Sequence, residues 1–425
     1  MRIGYACLTL GVPGTDLRRC RIENADEERL CALISHNLDA LQNMLAYNRQ
    51  NGIGLFRLSS DIIPFASSPK NTLAWDRLFE EKLSAIARFV RESGMRLSMH
   101  PGQYTVLNAP DESCAARAAA DLRYHVRLLD SLGLDARHKV ILHLGGVYGD
   151  KKTAKARFCR RFGELPDAVR QRIVIENDDR AYHIGDVLEI GTKLSIPVVY
   201  DNLHNAVNGC DRTITDAGWI AECAKTWREK DGAPKVHYSQ QDRLKRAGSH
   251  SEHIEIDPFL AFYHGLGDQK PDIMLEVKDK NISAVKCRLC TAEGETFPAV
   301  SREWNRYEYL VLERSPRTYC EIRSMLTSRG APAPAKFYRL IENAMREKIT
   351  AENGYSAARH VWDRLEAIAD EREKAGFMKL LDGFCSGRVS LVSVKQKLLR
   401  LAAAYGREDL MASYYFIAQL YAGYG

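Results

Sequence analysis

A chain of 425 residues with 45% apolar and 27% charged residues has the make-up of a soluble globule large enough for two or three domains. A net charge of +6 is compatible with nucleic acid but too small to argue for it. No run of about 18 apolar residues suggests a membrane span, and the scattered cysteines, odd in number, fit a reducing cytoplasm better than a disulfide framework.

The N-terminus, Met1-Arg2-Ile3-Gly4-Tyr5, enters a strand pattern directly and lacks the layout of a signal peptide. Strands are predicted at 2–7, 53–58, 96–99, 139–144, 172–176, 196–201, 234–238 and 271–276. Amphipathic helices are predicted at 27–50, closed by Asn51-Gly52, and at 72–93, stopped by Gly94. Others follow at 115–132, 152–170, 181–194 and 215–229, with weaker periodicity at 257–266 and 281–292. Strands alternating with helices imply a parallel sheet, and eight such units close a TIM (β/α)8 barrel. An open doubly wound sheet is the alternative, but no GxGxxG follows any strand, which weakens a dinucleotide-binding version. After about residue 296 the character changes, and 301–425 reads as helix, with breaks at 328–334, 351–355 and 383–390. The expected organisation is a barrel over 1–300 and an all-helical C-terminal extension over 301–425, separate or packed on the barrel.

The chemistry concentrates at the strand ends. The β-branched run Ile173-Val174-Ile175 stops in Glu176-Asn177-Asp178-Asp179, so buried backbone gives way to acids that need water or a metal. The third strand ends at His100, followed by Gln103 and Tyr104; the fourth carries His143; the sixth ends at Asp201 and is followed by His204. The seventh carries Lys235 and His237, with His250 in the next loop, and the eighth ends at Glu276. A single buried histidine usually reads as hydrogen-bonded core. Five of the 12 histidines at strand ends, converging on one barrel mouth, read instead as a metal site. Imidazole with carboxylate, and no cysteine, suits manganese, zinc or iron. The ligands exceed the needs of one ion, so two or three divalent ions are expected, bridged by Glu176 or Glu276. Lys235 shares a strand face with His237 and must turn away, lose its proton or be carboxylated.

Further residues admit two readings each. Gln103 and Tyr104 suit a probe that stacks on a base or an ordinary loop tip, and Tyr5 suits base stacking or the core. Arg57 and Ser59 face phosphate or, equally, the acidic cluster. Lys151 and Lys152, and Arg243, Lys245 and Arg246, flank the site and suit a phosphate backbone, although charge runs are usually solvated surface. Cys287-Arg288-Leu289-Cys290 is a lone CxxC and reads as structural.

The motifs His-Pro-Gly-Gln-Tyr (100–104), His-Leu-Gly-Gly-Val-Tyr-Gly-Asp-Lys (143–151), Glu-Asn-Asp-Asp (176–179), Asp-Asn-Leu-His (201–204), Lys-Val-His-Tyr-Ser (235–239), Gly-Ser-His (248–250) and Met-Leu-Glu-Val-Lys-Asp-Lys (274–280) resemble, in order and spacing, those of the UV damage endonucleases. That family resembles endonuclease IV, a TIM barrel with metals in its mouth. The resemblance implies incision immediately 5′ to cyclobutane dimers and 6-4 photoproducts, and at abasic sites, leaving a 3′-hydroxyl and a 5′-phosphate. It implies His100, His143, Glu176, Asp201, His204, His237, His250 and Glu276 as ligands of manganese, with zinc or magnesium as alternatives. It implies a carboxylated Lys235, lesion-probing Gln103 and Tyr104, and a lesion contact at Tyr5. Damaged double-stranded DNA is the implied partner of a cytoplasmic, nucleoid-associated monomer. Residues 302–425 resemble an uncharacterised bacterial helical domain, YbgA-like, expected to bind DNA or a repair partner. The rival readings are a metal-dependent sugar isomerase on the same fold and a non-catalytic damage-binding protein.

Overall fold

The computed structural model describes residues 1–294, 296–327 and 333–420. Eight short parallel strands form a closed ring: β1 (Ile3–Ala6), β2 (Leu55–Leu58), β3 (Arg96–Met99), β4 (Val140–His143), β5 (Ile173–Glu176), β6 (Val198–Asp201), β7 (Lys235–Tyr238) and β8 (Asp272–Leu275). Each pairs with its sequence neighbours, and β8 pairs with β1 through Ile3↔Ile273 and Gly4↔Met274. This is the TIM barrel expected from the alternating pattern. Gly4 has a packing reason on the other side of β1, since a Cβ there would lie 1.8 Å from the carbonyl oxygen of Leu55 on β2.

Side-chain alternation sorts the strands into two faces. Ile141, Val174 and Val199 meet inside the barrel, each two residues before a polar strand end: His143, Glu176 and Asp201. The opposite parity packs outward on the helices. Tyr200 donates to Asp216 on helix Asp216–Ala224, and the Tyr238 ring meets Phe259 on helix Ile256–Gly265 at 5.3 Å. Ile173, Ile175 and Val198 are fully buried, each contributing roughly 1.5–3 kcal/mol of apolar burial.

Local chemistry sets the helix ends. Asp26 caps helix Glu27–Gln50, Asp111 caps Glu112–Ser131, and Gly94 closes Glu80–Ser93 in left-handed backbone at φ 62°. Four helices differ from expectation, the one expected over 215–229 ending at Ala224. The helix expected over 72–93 is a short turn, Trp75–Leu78, followed by Glu80–Ser93. That over 152–170 is Lys151–Glu164, interrupted at Leu165-Pro166 before the turn Asp167–Arg170, because proline cannot continue the ladder. That over 181–194 starts at Ile184, because Asp178 accepts the Arg180 and Ala181 amides and His183 is the cap.

The chain divides into two compact units, Met1–Thr9 with Pro13–Arg288, and Leu10–Val12 with the chain from Leu289 onward. The second unit is helical: Phe297–Leu312, Pro316–Thr327, Pro334–Arg346, Ala351–Asp363, Glu371–Cys385, Leu391–Ala404, Glu408–Met411 and Tyr414–Leu420. Its core stacks Trp362 on Phe377, centroids 4.3 Å apart, among buried Val361, Leu381 and Leu398. The break expected at 351–355 lies earlier, at 347–350, because the Thr350 side chain caps helix Ala351–Asp363. Most of the break expected at 328–334 lies outside the described residues. Among the described residues no helix is long and apolar enough to cross a membrane.

Candidate metal centre

The C-terminal ends of β4 to β8 and the residue after β3 converge on Glu176. This carboxylate is 1% exposed and divides its oxygens between two groups. Oε2 faces His100 Nε2 at 3.2 Å and His143 Nε2 at 3.8 Å. Oε1 faces His237 Nδ1 at 2.7 Å and His204 Nδ1 at 3.8 Å. Two triads with metal-ligand spacing result, His100–His143–Glu176 and Glu176–Asp201–His237, their donor atoms within 4.8 Å of one another. Strand register brings this about, since His143 lies across from Glu176 and Asp201 across from His237.

Glu276, one residue beyond β8, adjoins this group. Its Oε1 lies 3.2 Å from His237 Nδ1 and its Oε2 lies 3.8 Å from His250 Nε2. His204 is placed by its own turn: Asp201 Oδ1 accepts the His204 amide at 2.7 Å, and His204 Nδ1 meets the Asn177 carbonyl at 2.9 Å. Eight ligand candidates from six strands thus share one cavity mouth.

The donor set fits divalent cations. Buried His143 Nδ1, His237 Nε2 and Asp201 Oδ2 have no hydrogen-bond partner in the protein, although buried polar atoms are normally satisfied. Charge is finely divided. Burial favours the neutral acid at Glu176, but His237, His100 and His143 hold it well below the usual carboxylate range. Burial pushes Asp201 up to about 6 against the pull of His204. Burial works against protonated His204, yet Asp201, Glu176 and Glu276 raise it to about 9, while burial draws His143 down to about 4. Neutral His143 and ionised Glu176 are the protonation states that ligate metal.

Lys235 is 1% exposed, and its amine has no hydrogen-bond partner. Burial, reinforced by Arg96, holds its pKa well below the usual lysine value, against the pull of Asp272. It lies on the inner face one position below His237, where an uncharged amine is favoured.

The structure places the predicted nucleic-acid residues unequally. Gln103 and Tyr104 are exposed beside His100, Tyr104 to 87%. Arg246 is exposed in the loop between His237 and His250. Tyr5 differs from its expected lesion contact. It is fully buried, and its hydroxyl bonds Thr9 and Asn48, the latter at 2.8 Å on helix Glu27–Gln50. Its parity on β1 aims it at the helix layer rather than the mouth. Arg57 also differs from a phosphate contact: its guanidinium is hydrogen-bonded to Glu276, the acidic-cluster alternative. Lys151 binds Asp186 at 2.7 Å, and Lys155 binds the same carboxylate, so this pair anchors two helices to each other.

Two supporting residues escaped the sequence reading. Asn177 accepts the Asp201 amide at 2.9 Å and donates to the Asp201 carbonyl at 3.0 Å, locking β5 to β6 beside the ligands. Lys280, in left-handed backbone at φ 50°, lies in the field of Cys7, Arg57 and Glu276, with burial lowering its pKa. Its signal was a cation four residues after Glu276, inside a motif already noted.

Buried and half-buried histidines and carboxylates gathered at the C-terminal mouth of a closed (β/α)8 barrel make a group that could hold metal ions, placed where barrel enzymes carry their sites. A family model described as UV-endonuclease UvdE matches residues 1–304, and one described as a protein of unknown function, DUF1722, matches 308–419. The UV DNA damage endonuclease of Clostridium perfringens (strain 13 / Type A) is 46% identical over 288 residues, covering 68% of this chain and 70% of that protein. The UV DNA damage endonuclease of Bacillus cereus (strain G9842) is 30% identical over 259 residues, covering 60% of this chain and 81% of that one. The crystal structure of SacUVDE superposes with a TM-score of 0.64 at 35% identity, covering 68% of this chain and 96% of that chain. The chain belongs to the UV-endonuclease UvdE family, with a DUF1722 region following the barrel.

Proposed function

We propose that the protein is a metal-dependent DNA-repair endonuclease. It hydrolyses the phosphodiester immediately 5′ to cyclobutane dimers and 6-4 photoproducts, and also cuts abasic sites. The observation that carries this reading is the division of Glu176 between two triads, backed by unpartnered polar atoms on His143, Asp201 and His237. His100, His143, Glu176, Asp201, His204, His237, His250 and Glu276 would hold two or three divalent ions, manganese first, with zinc or magnesium as alternatives. Such ions supply Lewis acidity and lower the pKa of water for attack on a phosphodiester.

The chain's own residues do the rest. Gln103 and Tyr104 probe the duplex beside the everted lesion, whose weakened stacking lowers the cost of opening. Arg57 orients Glu276 through its guanidinium. Lys235 is carboxylated: its uncharged amine adds to carbon dioxide and releases a proton, converting a neutral amine into an anionic carbamate. Its unpartnered amine and depressed pKa support this. The reading places the protein in the cytoplasm at the nucleoid, acting as a monomer, and gives the helical region a role in binding DNA or a repair partner.

The test is incision of a duplex carrying one defined dimer, across a metal series. Cutting at the 5′ side is expected with manganese, none with EDTA, and a loss greater than about a hundredfold for Glu276→Gln. Full nicking by the substituted protein, or cutting away from the lesion, refutes the reading.

A further inference from the structure

Among the described residues, the two most exposed large apolar side chains are Leu244, at 96%, and Tyr104, at 87%. A lone exposed leucine is ordinary on a protein surface. This one is not placed in an ordinary way. Tyr104 follows β3 and Leu244 follows β7, and these strands lie four apart in a ring of eight, on opposite sides of the mouth.

The loop that carries Leu244 is built to hold its shape. A bridge between Gln241 and His250 closes its base. Above it, the Asp242 amide donates to the Ser249 carbonyl at 2.7 Å, and the Gln241 amide group donates to the carbonyls of Asp242 and Arg246 at 2.7 and 3.0 Å. Gly248 holds φ 83°, and its amide donates to Gln241 Oε1 at 2.8 Å. The Leu244 amide is fixed to Asp242 Oδ1 at 3.0 Å, so the tip is pinned at the backbone of the leucine itself. Arg243, Lys245 and Arg246, all exposed, flank the leucine; Arg243 is paired with Glu255 at 3.4 Å and Lys245 with Asp242 and Glu252, both at 3.2 Å, weak surface pairs that a phosphate can displace. The two ends of the loop are candidate ligands, His237 and His250. An apolar tip on a rigid, basic loop is the form of wedge that enters a base step while its neighbours hold phosphate.

We propose that Leu244 is a second duplex wedge, inserting into damaged DNA from the side of the mouth opposite Tyr104. The two side chains pinch the duplex across the metal centre, and the leucine fills the space left when the lesion is everted. This rests on the reading of the protein as a damaged-duplex endonuclease. Leu244 acts as a positioning residue and touches no reacting atom.

The experiment uses the full chain, L244A and L244M, on two duplexes with one cyclobutane dimer and 2-aminopurine opposite it. In one the dimer is paired, and in the other it sits in a pre-opened bubble. Fluorescence on binding is read in EDTA and single-turnover incision with manganese. L244A is expected to lose most of the fluorescence rise on the paired duplex and to cut it roughly tenfold more slowly. It should cut the bubble within about twofold of the parent, because that substrate needs no opening. L244M should retain both signals. Parental behaviour of L244A on the paired duplex overturns the inference. So does equal slowing on both duplexes, which makes the residue a scaffold for His250. If the parent itself cuts neither duplex, the proposed activity falls, while the fluorescence comparison still decides whether the wedge exists.

Discussion

Both ends of the barrel are dense with buried charge, but they are finished differently. At the N-terminal end, Arg96 donates to the carbonyls of Arg137 at 2.9 Å, Asp231 at 2.8 Å and Ala233, and to the Asp272 carboxylate at 3.0 Å. Asp272 also accepts the Arg2 amide at 2.8 Å, and Lys139 is paired with Asp231. At the C-terminal end, His143, Asp201 and His237 each keep a buried polar atom with no protein partner. Apart from Lys235, whose buried amine level with Asp272 is unpartnered, the lower groups are saturated, whereas three of the upper ones are left incomplete. The contrast teaches that charge burial alone does not mark a site; unsatisfied valence does.

The sharpest way to break this comparison is Glu176→Gln. It removes the carboxylate common to both triads. Lesion-dependent nicking and bound metal by elemental analysis are expected to fall more than about a hundredfold together. Retention of metal would dissolve the distinction between the two ends.

At the other end, Arg96→Met leaves Asp272 buried without its main counter-charge. Urea unfolding should show a loss of roughly 3–5 kcal/mol, with the metal bound by the remaining folded protein unchanged. A metal loss out of proportion to the stability loss would mean the lower network reaches the ligands.

The smallest effect concerns His138, beside the lower network. Its Nδ1 accepts the Leu97 amide at 3.0 Å, and burial draws its pKa from 6.5 down to about 4. The folded state therefore resists protonation that the unfolded chain accepts. Stability from this site is full above the unfolded value and is lost as pH falls from about 6.5 towards 4. Across that window roughly 2–3 kcal/mol should disappear, as the difference between parent and His138→Gln in urea titrations. A parallel pH dependence in both proteins would remove the assignment.

The sequence made the strand ends legible because an interior tolerates no unpaired charge: each apolar run had to stop where its ligand begins. Glu176 after Ile173-Val174-Ile175 is the clearest case. Parity at a strand without such a signal was not legible. Nothing in Met1-Arg2-Ile3-Gly4-Tyr5 told whether Tyr5 faces the mouth or helix Glu27–Gln50. Partner choice among charges was equally hidden. Arg57 met Glu276 across 219 positions, and Lys151 met Asp186 across 35, distances over which linear reading has no purchase. In the helical region, Thr350 as a cap was visible in principle, and the helix it starts runs through 351–355 with Gly354 buried inside it.

The seam where β8 meets β1 has one more implication. A ring without an edge gives no strand freedom to slide, because any shift must be matched by both neighbours. Sliding by one residue would turn the histidines and acids outward and bring Ile175 or Tyr200 into their places. Circular closure is thus a mechanical lock on coordination geometry, and breaching it at any pair of strands would scatter the whole constellation at once.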